Sequence, residues 1–210
     1  MTLLATLTDP ESFFEQRSSD LSLLTPTGVV LLVAVLGALS SLLLTMSIMD
    51  SFSVPATGTL IMYVVSTIPV VVLSIIFWVL FTVAFYLLST KLYDGDGSFK
   101  ETLAMTGWGH TPQILTGVLS VAVVYYMLFV QGVSGPQVES LQAIQQYTQA
   151  IRTKPLFQLS SVLGIVGVLW SGYIWISGLA TVQQIEESDA FVAVGIPVAL
   201  FVAWSLFNLL

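Results

Sequence analysis

The sequence predicts an all-α polytopic membrane protein: a five-transmembrane-helix bundle with a short N-terminal interfacial helix and one amphipathic interfacial helix between spans 3 and 4. Three observations predict it. Hydrophobic residues make up 56% of the 210 positions and charged residues 8%, whereas a water-soluble domain carries roughly 25% charged residues and needs them to coat its exterior. Five apolar stretches of about 20 residues or slightly more are each long enough, as helices, to cross about 30 Å of hydrocarbon. The ionisable side chains fall outside these stretches or at their ends.

Residues 1–27 form an interfacial segment and 28–210 the membrane domain. Asp9 before Pro10 reads as an N-cap with proline at the first helical position, and Glu11 suits the positive first turn. Phe13 and Phe14 beside Glu15 and Arg17 make the segment from Pro10 to about Asp20 amphipathic, fit for the headgroup layer, with a frayed polar tail as the alternative. Spans follow at 28–49, 68–90, 112–132, 159–182 and 190–210. The second apolar stretch begins near Thr59 and runs for about thirty residues, longer than one untilted span needs, so Pro69 is a natural start or kink. After the third span, Val138, Leu141, Ile144, Tyr147 and Ile151 recur at three- and four-residue steps among glutamines, between Pro136 and Pro155. That spacing predicts an amphipathic helix lying on the membrane, capping the bundle or meeting a partner.

Lipid gives helices no hydrophobic reason to associate, so small residues that permit close approach mark the seams. Ser160, Gly164, Gly167, Ser171 and Gly178 share one face of the fourth span, and Ala34, Ala38, Ser41 and Thr45 one face of the first. Seams within the chain, or a homodimer seam, are the two readings. Trp78, Trp108, Trp170, Trp175 and Trp204 lie mostly toward span ends, where amphipathic rings suit the interface.

The formal net charge of −7, from five Lys or Arg and twelve Asp or Glu, disfavours nucleic acid and anionic lipid surfaces, so no nucleic-acid partner is expected. Such an acidic, lysine-poor composition resembles that of proteins from salt-loving archaea. There is no cysteine, which removes disulfides, thiolate metal sites and thiol catalysis. The first 27 residues show no basic stretch ahead of an apolar run, so no cleavable signal peptide is expected. With the N-terminus inside, Arg17, Lys91 and Lys100 are cytoplasmic and Arg152 and Lys154 external, nearly balanced under the positive-inside rule. Without an intramembrane carboxylate or histidine the chain does not read as a proton- or ion-coupled pump, although Ser, Thr, Tyr and backbone groups could still serve passive conduction or lipid movement.

Short motifs yield little chemistry. Gly132-Val133-Ser134-Gly135 matches the GxSG pattern of intramembrane rhomboid proteases, but the histidine, His110, precedes the serine, and with Pro136 following the tetrad reads better as a span-ending turn. Asp94-Gly95-Asp96-Gly97 suggests a calcium loop, yet that register puts Leu92 and Leu103 at ligand positions, so a glycine-rich turn between helices is expected. His110, in TGWGHTPQIL, is a lone histidine before a helix-opening proline, a structural residue rather than a metal ligand. No catalytic residue, cofactor or metal is expected.

Taken in order, DPESFFEQR before the first span, KLYDGDGSFKETL after the second and TGWGHTPQIL into the third resemble the archaeal and bacterial branch of the Yip family, the Ypt/Rab-interacting multi-pass membrane proteins. The resemblance runs from about Asp9 to the C-terminus, and Gly97-Ser98-Phe99, Gly109 and Pro112 are its most specific pieces. It implies a five-span domain with a cytoplasmic N-terminus and an external or lumenal C-terminus. Eukaryotic members look like vesicle-traffic adaptors that bind prenylated small GTPases; this chain departs from them in lacking a long N-terminal domain. Fold, orientation and the general idea of an adaptor therefore carry over.

The expected function is a non-enzymatic integral protein of the cell membrane, an adaptor or organiser acting through helix packing with other membrane proteins or lipids. The alternative is a small permease, channel or lipid-moving protein; an enzyme using Ser134 and His110 is more remote. Candidate packing or interaction residues are Gly97, Gly109, His110, Pro112, Gly164, Gly167 and Ser171, and candidate partner surfaces are the 91–109 loop and the 138–151 helix. The expected partners are the bilayer and an unidentified membrane protein or a second copy.

Overall fold

A computed structural model describes residues 2–17, 22–50, 55–133 and 140–207. The described residues are helical and turn, and five helical runs are long and apolar enough to cross a membrane: Leu24–Met49, Ala56–Leu92, Phe99–Val130, Pro155–Gln183 and Glu187–Phe207. Two short helices, α1 (Thr2–Thr8) and α2 (Pro10–Glu15), precede them. The first two runs are α3 and α4. The third comprises α5 (Phe99–Trp108), α6 (Thr111–Tyr125) and a π-helical turn (Tyr126–Val130), and α7 (Leu141–Arg152) leads to α8 and α9, the last two runs.

Local chemistry explains the starts and stops. Asp9 accepts from the Ser12 N–H at 3.3 Å with Pro10 opening α2. Ser98 begins α5 with a reciprocal capping box, its own N–H donating to Glu101 Oε2 at 2.8 Å while its hydroxyl accepts from the Glu101 N–H at 3.3 Å. The Asp94-to-Gly97 turn is tight enough that Asp94 takes φ 53° and that a side chain at Gly97 would collide with the Val182 carbonyl of α8. Gly132, at φ +66°, ends the third run as a turn glycine should.

α8 is the hub: half of its most apolar window is buried, against 17–22% in the other four runs. Its small-residue face meets α6, with Gly167 against Thr116 and Ser171 bonded to Gln113. Higher up, Gly178 receives Met105 of α5 and Phe14 of α2. The α3 stripe meets α4, where Ser41 donates to the Ser66 carbonyl at 2.9 Å and Gly37 abuts Val70.

Several elements differ from expectation. The helix that holds the expected 68–90 span extends beyond it: α4 runs for 37 residues, continuous through Pro69, about 55 Å at 1.5 Å per residue. Residues 99–108 of the expected 91–109 loop form a helix lodged among α3, α4 and α8, because Thr102, Ala104, Met105 and Trp108 give it a buried face. The N-terminal apolar face is turned inward, with Phe13 and Phe14 buried against α8 and α5. Tryptophan is used inside the bundle as well as near span ends. Trp78 donates to the Leu103 carbonyl at 3.1 Å and Trp175 to that of Thr106 at 2.8 Å, while Trp204 is exposed. The amphipathic helix spans 141–152, with Tyr147 and Ile151 buried against α3, α6 and α8; Val138 lies outside the described residues, as do Ser134, Gly135, Pro136, Asp20 and residues 208–210.

Candidate functional site

The centre of the third run is a break, and the break exposes backbone. Between α5 and α6 the His110 N–H bonds to the Gly107 carbonyl at 3.2 Å instead of reaching back to Thr106. The Thr106 carbonyl is thereby released to side chains and accepts from two, the Trp175 indole N–H at 2.8 Å and the His110 Nδ1 at 2.8 Å. A carbonyl can only accept, so Nδ1 carries the imidazole proton and Nε2 is left as an acceptor. Trp175 comes this close because Gly109 has no side chain; a Cβ there would fall on the indole ring. Thr111 returns its hydroxyl to the Trp108 carbonyl at 2.6 Å, and Pro112, lacking an N–H, opens α6 where none is needed.

Above this junction, toward α2, the interior is closed by rings. Trp175 stacks on Phe81 at 5.2 Å and meets Phe85 at 5.4 Å, and Trp108 meets Phe13 edge to face at 5.0 Å. Below it the interior becomes polar and open. Gln113, about one turn along α6, donates from Nε2 to Ser171 Oγ at 3.1 Å.

Gln113 lines three adjoining cavities. One, of about 160 Å³, reaches up to His110 and Trp175. A second, of about 200 Å³, lies between α3, α6 and α8 with Thr116, Ser120 and Ser40 in its wall. The third, of about 460 Å³, opens between α8 and α9 and carries Arg152 at its rim. Gly164 borders the second and third, and nothing stands within 4 Å of where its side chain would be.

The residues singled out from the sequence thus separate into two places. Gly109, His110, Pro112, Gly164, Gly167 and Ser171 all belong to the α6–α8 junction, whereas Gly97 lies at the α2–α5 end beside Val182 and Gln183. Sequence reasoning missed Gln113, Thr106, Trp175 and Arg152. Gln113 had a signal, an amide just inside an apolar run; Thr106 had none, because its role comes from a backbone bond lost four residues later. Gln183, also missed, is fully buried and donates to the Thr102 hydroxyl at 2.8 Å and the Gly97 carbonyl at 3.3 Å. Among the described residues no three His, Cys, Asp or Glu side chains cluster as a metal site would require.

A carbonyl holding two donors, a histidine held in one tautomer and an amide between cavities make a built polar interior beneath an aromatic plug. Such an interior can bind and orient an amphiphilic ligand or a helix. Comparison with known proteins places this in context. An uncharacterised protein of the archaeon Methanocaldococcus jannaschii is 31% identical over 130 residues, 60% of this chain and 91% of that protein. No solved structure matches the chain. The Yip1 domain family model matches residues 4–207, which takes in all five apolar helices and the Gln113 junction; this multi-pass membrane protein belongs to the Yip1 domain family.

Proposed function

We propose that this chain is a non-enzymatic membrane adaptor or organiser, acting through helix packing with other membrane proteins and through lipid seated at the Gln113 junction. The observation that carries the reading is the set of cavities meeting at Gln113, two of which border Gly164 on the outward side of the α6–α8 seam. The 141–152 helix uses Tyr147 and Ile151 inside the bundle, leaving its glutamine face outermost. In this reading the protein resides in the cell membrane with its N-terminus cytoplasmic and its C-terminus external; a reporter fused after Leu210 and active only in the cytoplasm overturns that orientation.

The second reading, a permease or lipid-moving protein, is favoured by the same polar lining. It is opposed by the ring cluster of Trp175, Phe81 and Phe85, which ends the lining partway through the bundle. Gentle detergent extraction from the native membrane, followed by native mass determination, separates the two. Stoichiometric protein or retained lipid supports the adaptor; a bare monomer that passes solutes or lipids in liposomes supports transport.

A further inference from the structure

The largest of the cavities meeting at Gln113 has a polarity. Its wall descends α8 from Phe157 through Ser161 and Ile165 to Val168 and is completed by Phe201 of α9. From Phe157 to Val168 the helix rises about 16 Å, close to the depth of one hydrocarbon leaflet, about 15 Å. At the Phe157 end stands Arg152 in the last turn of α7. Its guanidinium makes no ion pair among the described residues. At the far end stand Gln113 and, just beyond it, the acceptor nitrogen of His110.

The polar groups inside fix which way round a ligand must lie. The Ser161 hydroxyl donates to the Phe157 carbonyl at 3.2 Å and that of Ser205 to the Phe201 carbonyl at 2.8 Å, so both present oxygens rather than protons to the cleft. An anion is unwelcome there and welcome at Arg152. Charge over the whole molecule is sorted in the same sense. Among the described residues the α7 end carries Arg152 and Lys154 against Asp50, whereas at the α2–α5 end the carboxylates from Asp9, Glu11 and Glu15 round to Glu187 and Asp189 outnumber Arg17, Lys91 and Lys100. The net charge of −7 is therefore concentrated at the α2–α5 end, while in the sequence Arg152 and Lys154 are matched by Asp50 and Glu139 at the other.

We propose that this cleft holds one anionic phospholipid of the adjacent leaflet, its phosphate on Arg152 and one acyl chain running along Phe157, Ile165 and Phe201 toward Gln113. The proposal rests on the preceding reading of the Gln113 junction as a lipid seat and specifies its ligand. Arg152 supplies a charge-assisted donor pair matched to phosphate. The cleft accepts a single chain of one-leaflet length, which excludes a bilayer-spanning occupant.

The test uses the full chain in nanodiscs of equal phosphatidylglycerol and phosphatidylcholine, read by native mass spectrometry of the lipid that stays bound. One phosphatidylglycerol per chain is expected, preferred by roughly five-fold, the weight of one basic side chain near an anionic phosphate. Arg152→Gln removes the preference, Arg152→Lys restores most of it, and Lys154→Gln leaves it. Ile165→Trp fills the cleft and lowers retention of both lipids; Arg152 is exposed, so its variants keep the fold, which circular dichroism checks. Equal retention of the two lipids by the unmodified chain, or an unchanged preference in Arg152→Gln, overturns the anionic ligand while leaving a lipid seat standing. Displacement by inorganic phosphate overturns the lipid as the source of the anion. Retention of neither lipid overturns the lipid seat itself.

Discussion

The bundle covers its two ends by different means. At the α2–α5 end, two short helices are inserted between the long ones, and Phe13, Phe14, Trp108, Trp175, Phe81 and Phe85 interlock around glycines that leave them room. The Trp175 indole donates there to the Thr106 carbonyl and the Gln183 amide N–H to the Thr102 hydroxyl, while Gln183 Oε1 is buried without a partner among the described residues. At the other end, among the described residues, the amphipathic helix α7 packs in a small cluster of Val124, Met127, Leu128, Tyr147 and Ile151. A buried hydrogen bond to the bundle joins the Tyr147 and Ser47 hydroxyls at 2.7 Å. Burial pushes the Tyr147 phenol up, with the Ser47 bond pulling weakly the other way. A jigsaw of rings makes a cooperative, all-or-none region, whereas an amphipathic lid on a small cluster opens locally without unfolding the rest. The polar clefts lie beside the lid, where a ligand can enter and leave.

Substitutions that load the two ends unequally break or sharpen this contrast. The largest effect is expected from Trp175→Ala, which empties the ring cluster and takes one donor from the Thr106 carbonyl; a loss of about 3–5 kcal/mol is expected. Denaturant unfolding in mild detergent reads it, and a loss below that of any α7 substitution reverses the ranking of the ends. Gly178→Leu comes next, because a side chain there meets Met105 Cγ at 2.6 Å and Phe14 Cε2 at 2.7 Å. Overpacking of this kind costs about 1–3 kcal/mol and displaces α2, so trypsin cleavage after Arg17 is expected to quicken.

Tyr147→Phe leaves the Ser47 hydroxyl to find another partner and costs about 1 kcal/mol. Its signature is faster hydrogen exchange confined to α7, and acceleration spreading into α5 removes the distinction between lid and jigsaw. Gly164→Ala marks the border between the regions. Nothing stands within 4 Å of the added methyl, so stability stays level or rises by about 0.5 kcal/mol through the better helix former. The same change at Gly167, facing Thr116 Oγ1 at 2.5 Å, is expected to destabilise.

Much of this contrast is legible in the chain itself, for identifiable reasons. Span number follows from hydropathy, because an apolar run of twenty residues has one stable arrangement in lipid. The turn after α4, the stop at Gly132 and the N-cap at Asp9 follow from glycine and cap chemistry acting over three or four residues. The stripe from Ser160 to Gly178 marks a helix face, though not which neighbour occupies it. What the sequence does not disclose depends on distant pairs. Residues 99–108 read as a polar connection because Lys100, Glu101 and two threonines dilute the apolar face; the helix is recognisable once Trp78, Pro26 and Gly178 surround it. Likewise the use of His110 depends on Trp175, sixty-five positions later in the chain, filling the space above Gly109.

The length of α4 has a further physical consequence. Contacts at Ser41 with Ser66 and at Gly37 with Val70 set the register of α3 against α4, so α4 overshoots the start of α3 by about nine residues, about 14 Å. Apart from Lys91 near its tip the overshoot carries no charge, and it is therefore greasy surface raised above the level where its neighbour meets the headgroups. On one side α5 shelters it; on the other, Leu87 and Leu92 remain bare. Hydrophobic mismatch of this one-sided kind draws lipids upward around the exposed flank, so the protein is expected to dimple its bilayer asymmetrically and to partition toward thicker membrane regions.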